Sequence, residues 1–292
     1  MTALLPVCAL LVNALVWGVS WWPFRYLQAQ GLHPLWATAL IYAAVLAGLA
    51  LLRPRAWRGF AAHPALWLLM LSSGLNNLGF NWAVATGDVV RVVLLFYLMP
   101  LWAALLAWPL LGERPHAAAL ARMGLALAGV AVVLRRPGAA WPVPEGLPDW
   151  LALMAGICFA LTNILLLRLR RAPAEARVMA MFGGGMGMAA LAAGLGLAQG
   201  TMGPPPLPHL AWVLPALALA LAILAGNVAL QYGAARLSAH ATSLVMLAEI
   251  VFASVSSMAL GAARPDARTW AGGALILGAA LWSALAPARS AR

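Results

Sequence analysis

The sequence predicts an all-α integral membrane protein in which ten transmembrane helices form two inverted five-helix repeats. Two observations carry the class. Hydrophobic residues make up 64% of the 292-residue chain and charged residues only 9%, against about a quarter charged in a soluble domain. Apolar stretches also follow one another from end to end, each near the ~20 residues an α-helix needs to cross the hydrocarbon. A third observation, weak similarity between the two halves, predicts the arrangement.

Breaks at Pro, Gly and Arg clusters set spans at 4–28, 34–52, 64–86, 89–111, 117–134, 149–169, 177–198, 209–233, 239–261 and 269–286. The breaks include "LRPRAWRGF", "LGERPH", "LRRPGAAWPVPEGLP", "RLRRAPAEAR", "GTMGPPPLPH" and "GAARPDAR", compositions that stop helices and stay in water. Orientation follows arginine. With the N-terminus inside, Arg53, Arg55, Arg58, Arg114, Arg122, Arg168, Arg170, Arg171, Arg177, Arg236, Arg289 and Arg292 fall on the cytoplasmic side. Arg91, Arg135, Arg136, Arg264 and Arg268 fall outside, and Arg25 lies within the first span. Twelve against five predicts cytoplasmic termini and a multi-pass protein of the bacterial inner membrane, with the Arg135–Arg136 pair as the main dissent.

The net charge of +11 comes from arginines in loops at helix ends, so lipid is the expected partner and nucleic acid is not. Cys8 and Cys158 are lone thiols in apolar segments, which argues against a disulfide framework or a zinc site. The five His sit at or near loops without ligand spacing, so no metal or other cofactor is expected. The first 24 residues carry no positive charge and no clean small-residue cleavage site, and read as a first transmembrane helix rather than a signal peptide. "GGGMGMAALAAGLG" (183–196) lacks the Lys-Ser/Thr of a phosphate loop; its Gly183 and Gly187 form a GxxxG suited to close helix packing.

The repeat is read from register. "FYLMPLWAALLAWPLLGERP" (96–115) aligns with "MLAEIVFASVSSMALGAARP" (246–265) at an offset of 150, with a one-residue slip near the Arg-Pro. The same offset pairs Asn77 with Asn227, Asn81 with Gln231 and Trp82 with Tyr232. In the first helix of each half, "NALVWGVSWW" (13–22) pairs with "AGICFALTNI" (155–164) at an offset of 142, matching Trp17 to Phe159, Ser20 to Thr162 and Trp21 to Asn163. Five spans per half is odd, so the second half enters the membrane upside down. The repeats are 1–140 and 141–292 of one membrane domain. Inverted repeats are an architecture of alternating-access transporters, with the binding site near mid-membrane between them.

"YLMPLWAALLAWPLLGERP" is similar to the helix-4-to-5 signature of the EamA type in the drug/metabolite transporter superfamily. "LAEIVFA" resembles the second-half counterpart, with Ile250 where the family usually has Pro, and "GAARP" lacks the Gly-Glu that "LGERP" keeps. The resemblance covers nearly the whole chain. It implies a ten-helix permease whose substrates lie among amino acids, other metabolites and cationic drugs, and export rather than import.

Helical spacing then collects the polar residues. Ser73, Asn77, Phe80, Asn81 and Val84 form one stripe of the third span, and Asn13, Trp17, Ser20, Trp21 and Phe24 one stripe of the first. The sixth span offers Phe159, Thr162, Asn163 and Leu166, the eighth Asn227 and Gln231. The ninth offers Thr242, Met246, Glu249, Ala253 and Ser256. Tyr97 and Trp102 of the fourth add aromatic surface. Expected substrate-contacting residues are Trp17, Ser20, Trp21, Asn77, Phe80, Asn81, Tyr97, Trp102, Phe159, Asn163, Asn227, Gln231 and Glu249, around a cavity lined by helices 1, 3, 4, 6, 8 and 9. The alternative role for any one amide is helix–helix bonding, worth about 0.6–2 kcal/mol, and Asn76, off the stripe, fits that role. Glu249 lies deep in its span, where an ionised carboxylate is costly, so it should be protonated, paired or wetted. It is the expected site of proton coupling or of amine binding. Arg25 and Arg91 are weaker candidates, for a substrate carboxylate.

The expectation is a secondary exporter of small amphipathic metabolites, amino acids first and aromatic ones among them. An exporter of organic cations, drugs or polyamines is the alternative, and a non-transporting scaffold the reading from another class. No paired aspartates, H-E-x-x-H or membrane-embedded Ser–His set suggests an enzyme.

Overall fold

The computed structural model describes residues 4–52, 59–112, 117–135, 143–144, 146–234, 236–237, 242 and 245–285. Among the described residues there is no strand. The helices are α1 (Leu4–Val19), α2 (Trp21–Ala29), α3 (Pro34–Leu52), α4 (Gly59–Ala62), α5 (Ala65–Thr86), α6 (Val89–Phe96), α7 (Met99–Leu111), α8 (Ala117–Leu134) and α9 (Leu147–Arg168). They continue as α10 (Ala174–Ala198), α11 (Leu210–Ala234), α12 (Ala248–Ala259) and α13 (Ala267–Leu285). Seven segments are long and apolar enough to cross a membrane, counting α1 with α2 and α6 with α7 as continuous crossings.

The sequence predicts ten spans; among the described residues α5 and α13 do not meet the same measure of length and hydropathy, and α12 is shorter. The first and fourth spans are each broken in two, at Ser20 and at Tyr97–Leu98. The one-turn helix α4 precedes the third span. Most of 238–244, the start expected for the ninth span, lies outside the described residues, as do Arg53, Arg55, Arg58, Arg114, Arg136, Arg289 and Arg292.

The organising element is α5, the least lipid-like of the long helices. It carries Ser72, Ser73, Asn76, Asn77 and Asn81, all buried. Lipid tails cannot satisfy those groups, so α5 is enclosed: it packs most broadly on α9 and α10 and also touches α2, α3 and α6. Small residues permit the approach. A Cβ on Gly74 would stand 2.5 Å from the Gly184 carbonyl oxygen, so the two backbones touch. Gly185, the next residue round α10, lies under the Tyr42 ring. This corrects the GxxxG expectation, since Gly187 faces open space. Each step along a helix turns about 100°, and the packed face belongs to 184 and 185.

At the other end of the bundle α8 and α13 pack chiefly on each other and reach the remainder through α6 and α7. They cross glycine on glycine. A Cβ on Gly129 would stand 2.7 Å from the Gly272 carbonyl oxygen, and one on Gly272 2.5 Å from that of Gly129.

Gly272→Val should therefore force these helices apart at a cost of about 1–3 kcal/mol. Gly278→Ala, where nothing lies within 4 Å, should be silent. Thermal unfolding of the purified protein in detergent tests the pair, and equal midpoints for Gly272→Val and wild type would refute the close crossing.

Candidate functional site

Two helices break at the same level. Pro100 has no N–H to give the Phe96 carbonyl, so α6 ends and the chain tightens: Leu98 N donates to Leu95 O (3.3 Å) and Leu101 N to Leu98 O (2.8 Å). The freed Phe96 carbonyl lies 2.9 Å from where a Cβ of Gly156 on α9 would be, an approach glycine allows. On the α12 side Ile250 N donates to Leu247 O at 3.1 Å, although Ile250 stands where a proline was expected. That takes the Met246 carbonyl out of the helical ladder.

The Met246 carbonyl accepts instead from the Tyr97 hydroxyl, at 3.0 Å. The same hydroxyl lies 2.9 Å from Glu249 Oε2. Tyr97 and Glu249 are both buried. A phenol has one proton to donate, so the two contacts cannot both be donations. If Tyr97 donates to Met246, it accepts from a protonated Glu249. If Glu249 is ionised, Tyr97 turns its proton to the carboxylate and the Met246 carbonyl loses its donor. Asn13 completes the junction. Its Nδ2 reaches Met246 Sδ at 3.5 Å, while its buried Oδ1 has no hydrogen-bond partner among the described residues.

Aromatic rings fill the space beside this junction. Phe96 is the hub, with centroids 4.7 Å from Phe80, 5.4 Å from Phe159 and 5.8 Å from Tyr97. Trp17 meets Phe80 edge-on at 6.2 Å. Trp21 Nε1 donates to Ser256 Oγ at 3.0 Å, tying α2 to α12. Trp102 packs on the same core, its buried Nε1 unpartnered among the described residues. Ser20 turns its hydroxyl back onto the Trp17 carbonyl at 2.7 Å.

The remaining candidates lie apart from this junction. Asn77 Oδ1 accepts from the Tyr42 hydroxyl at 2.6 Å and its Nδ2 donates to Ser73 O at 2.7 Å. Asn81 Nδ2 donates to Thr38 Oγ1 at 3.2 Å. Both amides thus face α3. Ser72 bonds Thr162 across to α9 at 3.0 Å. Asn163 and Gln231 are exposed, and Gln231 Nε2 donates to the half-buried Asn227 at 2.8 Å. Sequence reasoning missed Phe96 and the α3 partners Thr38 and Tyr42. A tyrosine in an otherwise apolar helix was the available signal, because a buried hydroxyl needs a partner.

The two arginines offered for a substrate carboxylate have structural partners. Arg25 donates from Nε to Val84 O at 3.3 Å and from Nη2 to Gly87 O, and stacks on the Trp21 ring. Arg91 grips Asp149 in a fork, with Nε and Nη2 2.8–3.2 Å from the carboxylate oxygens, and gives Nη1 to Val133 O. In the turn before α3, His33 accepts from Leu35 N and rests on Trp82, and burial holds its imidazole below the usual histidine range.

Residues 4–135 match the EamA-like transporter family model. That stretch, a little under half of the chain, resembles the family. Its bounds take in α1–α8, including the Pro100 break and Tyr97. No curated protein matches the chain. A crystal structure described simply as that of a protein aligns with a TM-score of 0.57 at 22% identity, over 95% of this chain and 96% of its own. At that identity the likeness concerns the fold alone, and it extends through both halves. The chain is a multi-pass membrane protein whose first half is similar to EamA-like transporters.

Breaking a well-buried ion pair by removing one partner costs about 3–5 kcal/mol. Arg91 and Asp149 keep 17% and 7% side-chain exposure, so Asp149→Asn should lose slightly less. Unfolding of the purified variant measures it, and a loss within error of zero would mean that the fork does not hold α6 to α9.

Proposed function

We propose that the chain is a secondary transporter of ten spans in two inverted repeats, 1–140 and 141–292. It sits in a bacterial inner membrane with both termini cytoplasmic and exports small amphipathic metabolites by alternating access. The observation that carries the reading is the Tyr97 hydroxyl between Glu249 and the released Met246 carbonyl. It joins the fourth span of one half to the fourth span of the other through one proton-dependent contact. Glu249 is the coupling site of this mechanism, and no catalytic step or cofactor enters it.

The packing supports the repeat. Gly79 of α5 lies against Leu151, Met154 and Ala155 of α9, and Gly226 of α11 against Asn13 and Val16 of α1. Asn13 and Ala155 are equivalent at the offset of 142. The pairs α8 with α13 and α3 with α10 each join an element to its own equivalent, as a two-fold relation requires. The backbone breaks at Leu98 and Leu247 fall within one residue of the 150 offset, and interrupted helices in corresponding positions are where transporters bind solute.

For substrate, aromatic amino acids and related amphipathic metabolites fit the rings of Trp17, Phe80, Phe96, Phe159 and Trp102. Organic cations are the second reading, favoured by one observation. Asn13 Oδ1, the Met246 carbonyl and Glu249 are all acceptors, while Arg25 and Arg91 are engaged elsewhere.

Counterflow in proteoliposomes with aromatic amino acids and organic cations, with and without a pH gradient, tests this. Glu249→Gln should abolish the effect of the gradient. Tyr97→Phe, which removes a hydrogen bond to a charged group, should slow gradient-driven flux about tenfold or more. Gradient-driven flux that is equal in wild type and Glu249→Gln would remove Glu249 from the mechanism.

A further inference from the structure

A pocket of about 40 Å³ opens between α7, α8 and α13, away from the aromatic core. Its free volume is several times the ~10–15 Å³ a single water requires, and its walls are hydrocarbon. Ala104, Met123, Ala126, Ile276 and Ala279 line it, and Tyr97 closes its deep end. Its polar feature is Arg122. The guanidinium lies over the Trp282 ring at 5.9 Å, the contact recorded for it among the described residues.

The shape follows from the helix crossing. Gly129 and Gly272 bring α8 and α13 into backbone contact, and the pocket lies from there toward the start of α8 and the end of α13, where Ala119, Arg122, Ala279 and Ala280 line it. Arg122 is five residues into α8, about 7–8 Å along its axis. Trp282 is three residues from the end of α13. An arginine stem and a tryptophan at that depth belong at headgroup level. The flanking Leu120, Leu127, Leu281 and Leu285 are turned outward, so the mouth of the pocket meets lipid. A cation beside mostly apolar walls matches the amphipathic character of a lipid, which would lie along these helices and place a few of its chain carbons in the pocket.

The geometry points to a binding site for an anionic glycerophospholipid. Its phosphate sits on Arg122 beside Trp282, and one acyl chain runs between α7, α8 and α13 toward Tyr97. Arg122 supplies charge complementarity to an acidic headgroup and distinguishes it from a zwitterionic one, whose own cation competes for the phosphate. The site requires membrane insertion and is independent of what the central junction carries.

The test is native mass spectrometry of the protein released from nanodiscs made with equal dioleoyl phosphatidylglycerol and dioleoyl phosphatidylcholine. Wild type should retain phosphatidylglycerol over phosphatidylcholine roughly fivefold, the worth of one basic side chain at a membrane surface. Arg122→Gln should bring the ratio to parity, and Arg122→Lys should keep most of the preference. Arg170→Gln, an exposed arginine between α9 and α10, controls for diffuse charge and should leave the ratio unchanged. Ala279→Leu, which fills the groove, should lower retention of both lipids. The site is refuted by equal retention of the two lipids in wild type, by an Arg170→Gln effect as large as that of Arg122→Gln, or by undiminished retention in folded Ala279→Leu. Should Ala279→Leu fail to fold, the arginine series decides alone.

Discussion

An asparagine turned toward lipid tails finds nothing to bond, and each such group costs several kcal/mol. α5 carries three, with two serines, inside one 22-residue helix. It has to be wrapped by other helices, and most of the bundle follows from that. α10 and α9 cover it closely because Gly74, Gly79 and Gly184 let backbones touch. α3 contributes Tyr42 and Thr38 as partners for Asn77 and Asn81, and α9 contributes Thr162 for Ser72. The outward surface of the bundle is built from apolar faces of other helices. Leu217 and Leu221 of α11 and Leu191 and Leu195 of α10 are exposed.

The central junction shows a related shortage. α5 leaves Asn76 Oδ1 and Asn81 Oδ1 buried with no hydrogen-bond partner among the described residues. Around Met246 one phenolic proton is shared between a carboxyl and a main-chain carbonyl, and Asn13 Oδ1 has no partner among the described residues. Such a balance holds only in one protonation state at a time. A structural core gains nothing from it, since a fully satisfied network is more stable than a partly satisfied one. A site whose contacts must change between two states has a use for it.

Hydrophobic pattern made the spans legible. The predicted 34–52 and 117–134 coincide with α3 and α8, because Pro and Arg punctuate them. The break at Tyr97 was readable from Pro100. That at Ser20 was readable in the same way, since Pro23 has no N–H for the Val19 carbonyl, and there Ser20 also turns its hydroxyl back onto the Trp17 carbonyl. Stripes were harder. Phe80 and Asn81 share a stripe at i+7 and i+8, yet successive residues are about 100° apart, and Phe80 turns to Phe96 while Asn81 turns to Thr38. Period assigns a broad face; which neighbour stands on each flank depends on tertiary packing. Arg91 and Asp149 show the same limit, being 58 residues apart with no register to connect them.

The break in the fourth span gives Tyr97 two neighbourhoods. An unbroken helix would carry its side chain along one regular face. With the chain tightened at Leu98, the hydroxyl meets α12 while the ring floors the groove between α7, α8 and α13. The ring is rigid, so displacement at the groove moves the oxygen that Glu249 and Met246 share. α8 and α13 touch little besides each other and α6 and α7. Movement of that outer pair therefore reaches the centre chiefly through the segment that contains Tyr97. Two elements with separate surroundings, lipid on one side and a buried carboxyl on the other, are thus joined at one side chain whose hydrogen bonds have two discrete arrangements. Coupling between distant sites requires such a two-state element; in the proposed mechanism Tyr97 is that element, placed by the helix break at Pro100.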